Sequence, residues 1–185
     1  MRFLLLFMFA AFVIGWLAMW TTSQAQDNSA TTTGQVAAND ASFLANLPPD
    51  PGEAGKATLE GIDSDGDGVR DDVQRWIALN FPDSEKTREA LRQKIIVMQQ
   101  FLLDAADSVN SYNNFLNLQK ANACLAYVRP SDYYDIAIEI KAQTLNTYTR
   151  SSEWIKASHH LSGKVFDSLT DRKQGCIFDP DVMPN

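Results

Sequence analysis

The run LRQKIIVMQQFLLDAADSVNSYNNFL, residues 91–116, decides the fold. Its apolar positions Leu91, Ile95, Met98, Leu102, Ala105, Val109, Tyr112 and Leu116 alternate gaps of four and three. A helix turns every 3.6 residues, so this spacing lines up one face of a packed helix. Ile96, Phe101, Leu103 and Phe115 widen the stripe. A wide stripe favours an intramolecular bundle over a two-stranded coil. The four asparagines between Asn110 and Asn117 mark the expected place for a kink or break.

Working outward, Asp83-Ser84 supplies an N-cap for this helix, and Pro82 ends the one before it. That earlier helix is expected over about 69–81, with Val73, Trp76, Ile77 and Leu79 apolar. Helical pattern resumes through 118–128 and stops at Arg129-Pro130. Two more helices are expected, one over about 132–149 and one over about 152–170. In the first, Tyr133, Ile136, Ala137, Ile140 and Tyr148 point inward; in the second, Trp154, Ile155, Leu161, Val165, Phe166 and Leu169 do so. No β-alternation competes with this pattern. The expected fold is all-α, a four- to five-helix bundle over residues 73–185, with an N-terminal calcium loop and a disordered N-terminal tether.

The loop is DSDGDGVRDD, residues 63–72. Asp63, Asp65 and Asp67 alternate, which lets all three carboxylates face one point. Gly68 follows the third and tolerates the positive φ of a sharp turn. A Ca²⁺ ion takes six to eight oxygen ligands. Val69 would add its backbone carbonyl, and Asp71 or Asp72 would close the shell. The competing reading is an acidic helix N-cap without metal. Five aspartates in one short stretch repel one another, and a cap needs only one or two. The metal-ligand set is therefore Asp63, Asp65, Asp67, Val69, Asp71 and Asp72, with Ca²⁺ as cofactor.

This loop resembles the half-EF-hand type of thrombospondin type-3 repeats and dockerins. It departs from a full EF-hand in two ways. Gln74 stands at position 12, where a bidentate Glu is the rule, and Pro48, Pro49 and Pro51 precede it in place of an entering helix. The resemblance covers about a dozen residues. It implies calcium ligation at a loop-to-helix junction.

The chain has 185 residues. Residues 3–20 are apolar after Met1-Arg2, and Ser23-Gln24-Ala25 offers a small-x-small cleavage site. Residues 1–25 read as a secretory signal peptide. An uncleaved membrane anchor through residues 3–20 is the alternative. Residues 26–41 are Ala, Thr, Gln, Asn, Ser, Asp and Gly and read as a disordered linker. Residues 42–72 read as an extended segment followed by the calcium loop. Removing residues 1–25 takes away only Arg2, leaving 15 Lys and Arg against 23 Asp and Glu, a net charge of −8. That balance excludes nucleic acid, and an anionic membrane surface, as the main partner.

Cys124 and Cys176 are the only cysteines. In an exported chain an even pair reads as a disulfide. The expected compartment is the periplasm or the extracellular space, or the periplasmic face of the inner membrane if the anchor is retained.

Candidate chemistry beyond the loop is thin. His159-His160 are adjacent, so on a helix they diverge by about 100° and chelate one metal poorly. Tyr133, Tyr134 and Asp135 with Glu139 would line a polar pocket. Trp76 and Trp154 read as core anchors. G-x-S-x-G, S-x-x-K, H-E-x-x-H and phosphate-loop motifs are absent from the sequence. The sequence reads as an exported calcium-binding helical protein with structural calcium and a non-catalytic binding or accessory role toward a protein partner in the cell envelope. The alternatives are a calcium-responsive switch, or an enzyme whose residues, such as Glu139, Tyr134 or His160, are dispersed.

Overall fold

The computed structural model describes residues 45–185, which form five α-helices without a strand. The proposed signal or anchor segment, the linker 26–41 and the start of the 42–72 segment lie outside the described residues. Helix α1 spans Asp71–Asn80, α2 Glu85–Leu103, α3 Ser108–Val128, α4 Tyr133–Thr144 and α5 Tyr148–His159. Short 3₁₀ turns occur at Gly52–Lys56 and Lys173–Gly175. The all-α bundle expected from the periodicity is the observed fold. The segment before the loop is less extended than its prolines imply, because the turn at Gly52–Lys56 interrupts it.

Side chains start three of the helices. Ser84 accepts from the Thr87 N–H at 3.3 Å, Asp107 from Val109 and Asn110 at 2.8 and 2.9 Å, and Thr147 from Arg150 at 3.2 Å. Each satisfies an N–H that the first helical turn leaves free. Helix α1 has no side-chain cap; the Ile62 carbonyl accepts the Asp71 N–H at 2.8 Å instead.

The break in the central run falls earlier than the asparagines. The chain leaves the helix at Asp104 and re-enters after Asp107, so α2 and α3 form a hairpin. Lys94 bonds to Asn122 and Asp104 to Asn114, which shows the antiparallel register. The asparagines lie inside α3: Asn110, Asn113 and Asn117 face solvent, where their low propensity costs only tenths of a kcal/mol. Asn114 is buried and donates to Asp104 at 2.8 Å.

The remaining two helices are shorter than expected. Helix α4 stops at Thr144, and Thr147 caps a new helix, which leaves Tyr148 88% exposed. Helix α5 stops at His159, and Gly163 turns the chain at φ +74°. Val165 is exposed, as is Ile155. Phe166 stays useful outside a helix, its ring 4.5 Å from that of Phe115.

The core gathers Val73, Ile77, Leu91, Ile95, Met98, Leu125 and Ile140. A second cluster of Phe101, Ala105 and Ala157 joins α5, with Trp154 edge-on to Phe101 at 4.9 Å. Cys124 and Cys176 are disulfide-bonded, tying the tail to α3. Gln93 reinforces this tie: its Nε2 donates to the Gly175 carbonyl at 2.7 Å, and its Oε1 accepts the Ile177 N–H at 3.2 Å. Gly175 lies so close to α3 that a Cβ there would sit 2.3 Å from the Lys120 carbonyl oxygen. Among the described residues no helix is long and apolar enough to cross a membrane.

Candidate metal centre

The loop folds around Asp63. Its Oδ1 accepts the Gly66 and Asp67 N–H groups at 2.9 and 3.2 Å, and its Oδ2 accepts that of Gly68 at 2.9 Å. Gly68 takes φ +85°, as the sharp turn requires. Asp67 Oδ1 accepts the Val69 N–H at 2.7 Å. The chain is thus wound by its own carboxylates, and backbone amide dipoles offset part of their charge.

One carboxylate oxygen from each of Asp63, Asp65 and Asp71 lies within 4.8 Å of the others. Asp63 and Asp65 are exposed, whereas Asp71 is fully buried. Among the described residues the Asp71 oxygens accept only from Ser64, from its N–H at 2.9 Å and from its hydroxyl. Among the described residues no cation pairs with Asp71. A buried carboxylate without a counter-charge is costly. Its place in the first turn of α1, where the helix dipole favours negative charge, offsets only part of that cost.

The structure separates the six sequence-predicted ligands. Asp63, Asp65 and Asp71 converge. Asp67 Oδ2 turns instead to Arg92 in an ion pair and to Gln74 Nε2 at 3.1 Å. Val69 is buried beneath the loop and belongs to the core. Asp72 lies outside the group, because it pairs with Arg70 and accepts from Asn146 Nδ2 at 3.0 Å. Burial would raise the Asp72 carboxyl, but the Arg70 hydrogen bonds and charge outweigh it and hold the group below its ordinary value.

Gln74 is the residue that the ligand spacing passed over. Its side chain reaches back from α1, and Nε2 donates to Asp65 Oδ2 at 3.0 Å. That bond holds the Asp65 carboxyl below its ordinary value. Gln74 Oε1 is buried without a hydrogen-bond partner, one of two such atoms among the described residues. The converging donors are all carboxylate oxygens, which fits a hard cation, and the Gln74 amide meets this cluster through its Nε2. The signal was there in the sequence, since Gln74 occupies position 12 of the loop.

The loop is anchored independently of this group. Arg150, fully buried, donates to the carbonyls of Gly55, Thr58 and Leu59 at 2.7, 3.0 and 3.2 Å. Arg75 holds the Pro48 carbonyl at 2.9 Å, and Gln99 holds that of Glu60 at 2.7 Å. Gly61 passes between the two arginines: a Cβ there would lie 2.4 Å from Arg70 Cδ and 2.9 Å from Arg150 Nη2.

The other candidates scatter. His159 is exposed, and half-buried His160 places Nε2 3.2 Å from the Ala105 carbonyl oxygen. Tyr133 and Tyr134 line a cavity of about 340 Å³, but Asp135 and Glu139 are exposed elsewhere and do not line it. Trp76 and Trp154 pack against the core clusters. The Cys124–Cys176 bond points to an oxidising, non-cytoplasmic compartment. No family model, curated protein or solved structure matches the chain.

Proposed function

We propose that this is an exported helical protein of the cell envelope whose loop binds one Ca²⁺, with calcium as a structural element. The observation that carries the reading is the convergence of Asp63, Asp65 and Asp71, with Asp71 buried and paired with no cation among the described residues. Asp63, Asp65 and Asp71 would hold the ion, with the Val69 carbonyl as a further donor and the Gln74 Oε1 as another once its amide turns over from the Nε2 contacts. The set resembles a half-EF-hand loop in which Gln74 takes the closing position. Calcium there supplies positive charge, which offsets carboxylate repulsion and the isolation of Asp71.

A structural role is favoured over a switch. The segment leading into the loop is already held by Arg75, Gln99 and Arg150, and the start of α1 by Arg70. Binding therefore stabilises the fold with little to rearrange. The non-catalytic reading rests on the cavity that Tyr134 lines including neither Glu139 nor His160.

A single loop of this kind binds with Kd on the order of 10⁻⁴ M. At a hundredfold excess of calcium over Kd, linkage then adds about 2.7 kcal/mol. The test is thermal melting with calcium and with chelator, beside Asp65→Ala, an exposed position. Calcium should raise the midpoint by about 10 °C in the parent protein and leave the variant unmoved. An equal rise in both, or none in either, would overturn the proposal.

A further inference from the structure

Lys94 lies in α2 between Leu91 and Met98, with only 5% of its surface exposed. A long cationic side chain at the edge of an apolar stripe normally carries its ammonium out to solvent. Here Nζ stays inside and donates to Asn122 Oδ1 on α3. An ammonium offers three donors and needs a counter-charge when buried. Among the described residues Lys94 has no anionic partner.

The side chain borders the cavity of about 340 Å³ between α2, α3, α4 and α5. From α2 and α3 the walls are Met98, Phe115 and Leu118, with Asn122; from α5, Trp154. The charged groups that face it are Lys94 and Lys141 of α4, and the other titratable ones are Tyr133 and Tyr134. Among the described residues no carboxylate lines it. Lys141 stands at the rim with Nζ 4.5 Å from the centroid of the Trp154 ring. Burial, with Lys141 adding its like charge, pushes the Lys94 ammonium down to about 8. The site therefore holds two cations, one of them desolvated, over an apolar floor.

We propose that this cavity binds a small carboxylate with an apolar body, its anionic end between Lys94 and Lys141 and its hydrocarbon against Met98, Phe115 and Trp154. Charge complementarity selects the anion, and the apolar walls select the body. Ligand cavities run from roughly 300 to 1,000 Å³. At about 340 Å³ this one is at the small end, a size that suits a single short hydrocarbon chain. The proposal is independent of calcium, since the cavity and the loop share no residue.

The test is calorimetric titration of the full chain, in chelator, with decanoate and separately with decan-1-ol. Decanoate should bind one to one, about tenfold more tightly than the alcohol, and weaken as pH rises through 8. Lys94→Met should cut the preference to about threefold, the share left to Lys141, and remove the pH dependence. Lys141→Met, at an exposed position, should weaken decanoate about threefold, and it decides the matter if Lys94→Met does not fold. No saturable decanoate binding, equal binding of acid and alcohol, or undiminished binding by the lysine variants would overturn the proposal.

Discussion

Asp72 grips Arg70 with both oxygens, accepting from Nε and Nη2 at 2.9 Å each. Arg70, 1% exposed, reaches on to the carbonyls of Thr144 and Gln143 at 3.0 and 3.1 Å. Successive residues of a helix point about 100° apart. Asp71 therefore faces the acidic loop while Asp72 faces α4, and two neighbouring carboxylates serve different tasks.

The first consequence concerns Asp72→Ala. It leaves a buried guanidinium without its counter-charge, which costs about 3 kcal/mol. Urea unfolding should show that loss. Calcium affinity should change less than threefold, because Asp72 lies outside the converging group. A large drop in affinity with unchanged stability would place Asp72 among the ligands.

Gln74 gives a gain-of-affinity prediction. Gln74→Glu adds a carboxylate at the closing position, and ligand charge is a main determinant of calcium affinity in such loops. Calorimetry should find tighter binding by about tenfold, worth about 1.4 kcal/mol. Gln74→Ala should weaken it. A glutamate variant that binds no better would mean that Oε1 faces something other than the ion.

The tail is fastened at one place by two means. The disulfide joins residues 52 apart in sequence, and its reduction should cost about 4 kcal/mol in the chain-entropy picture. Gly175→Ala drives a methyl into the Lys120 carbonyl, a backbone atom that cannot swing aside. That should cost about 2 kcal/mol. In reduced protein, where the tail is released, the alanine penalty should shrink. Denaturant titrations of both proteins in both redox states check this.

Lys94 makes stability depend on alkaline pH. Its folded pKa is lowered to about 8 from 10.5, so between those values the unfolded chain holds the proton more tightly. Stability then rises with pH across that window, by about 3 kcal/mol from this group. Below pH 8 the lysine is charged in both states and the penalty stands in full. Lys94→Met should be more stable than the parent at pH 7, with the difference fading toward pH 10.5. Matched urea titrations at both pH values measure it. A difference that is the same at both ends would contradict the account.

Much of the bundle was legible because its signals are local. The 91–105 seam, the Ser84 cap and the stop at Pro82 each act within a few residues. The hairpin at Asp104–Asp107 was hidden because Leu102, Ala105 and Val109 keep helical spacing straight through the turn. Its one signal was the Asp107 cap. Arg70, Arg150 and Lys94 were illegible for another reason. A charged residue reads as solvent-facing in any one-dimensional pattern, and only the fold supplies the carbonyls and the Asn122 oxygen that let these three be buried. In the loop, spacing picked out Asp63 and Asp65 but also Asp67, which the fold turns to Arg92. The choice between Asp71 and Asp72 depended on where α1 begins and which way its first turn faces.

The most direct test of the calcium reading is calorimetric titration of the chelator-treated protein with Ca²⁺. The account predicts one equivalent at a Kd on the order of 10⁻⁴ M, lost in Asp65→Ala and retained in Asp72→Ala. Absence of binding heat at millimolar calcium, or a profile that Asp65→Ala leaves intact, would contradict it and leave the loop as an acidic helix start.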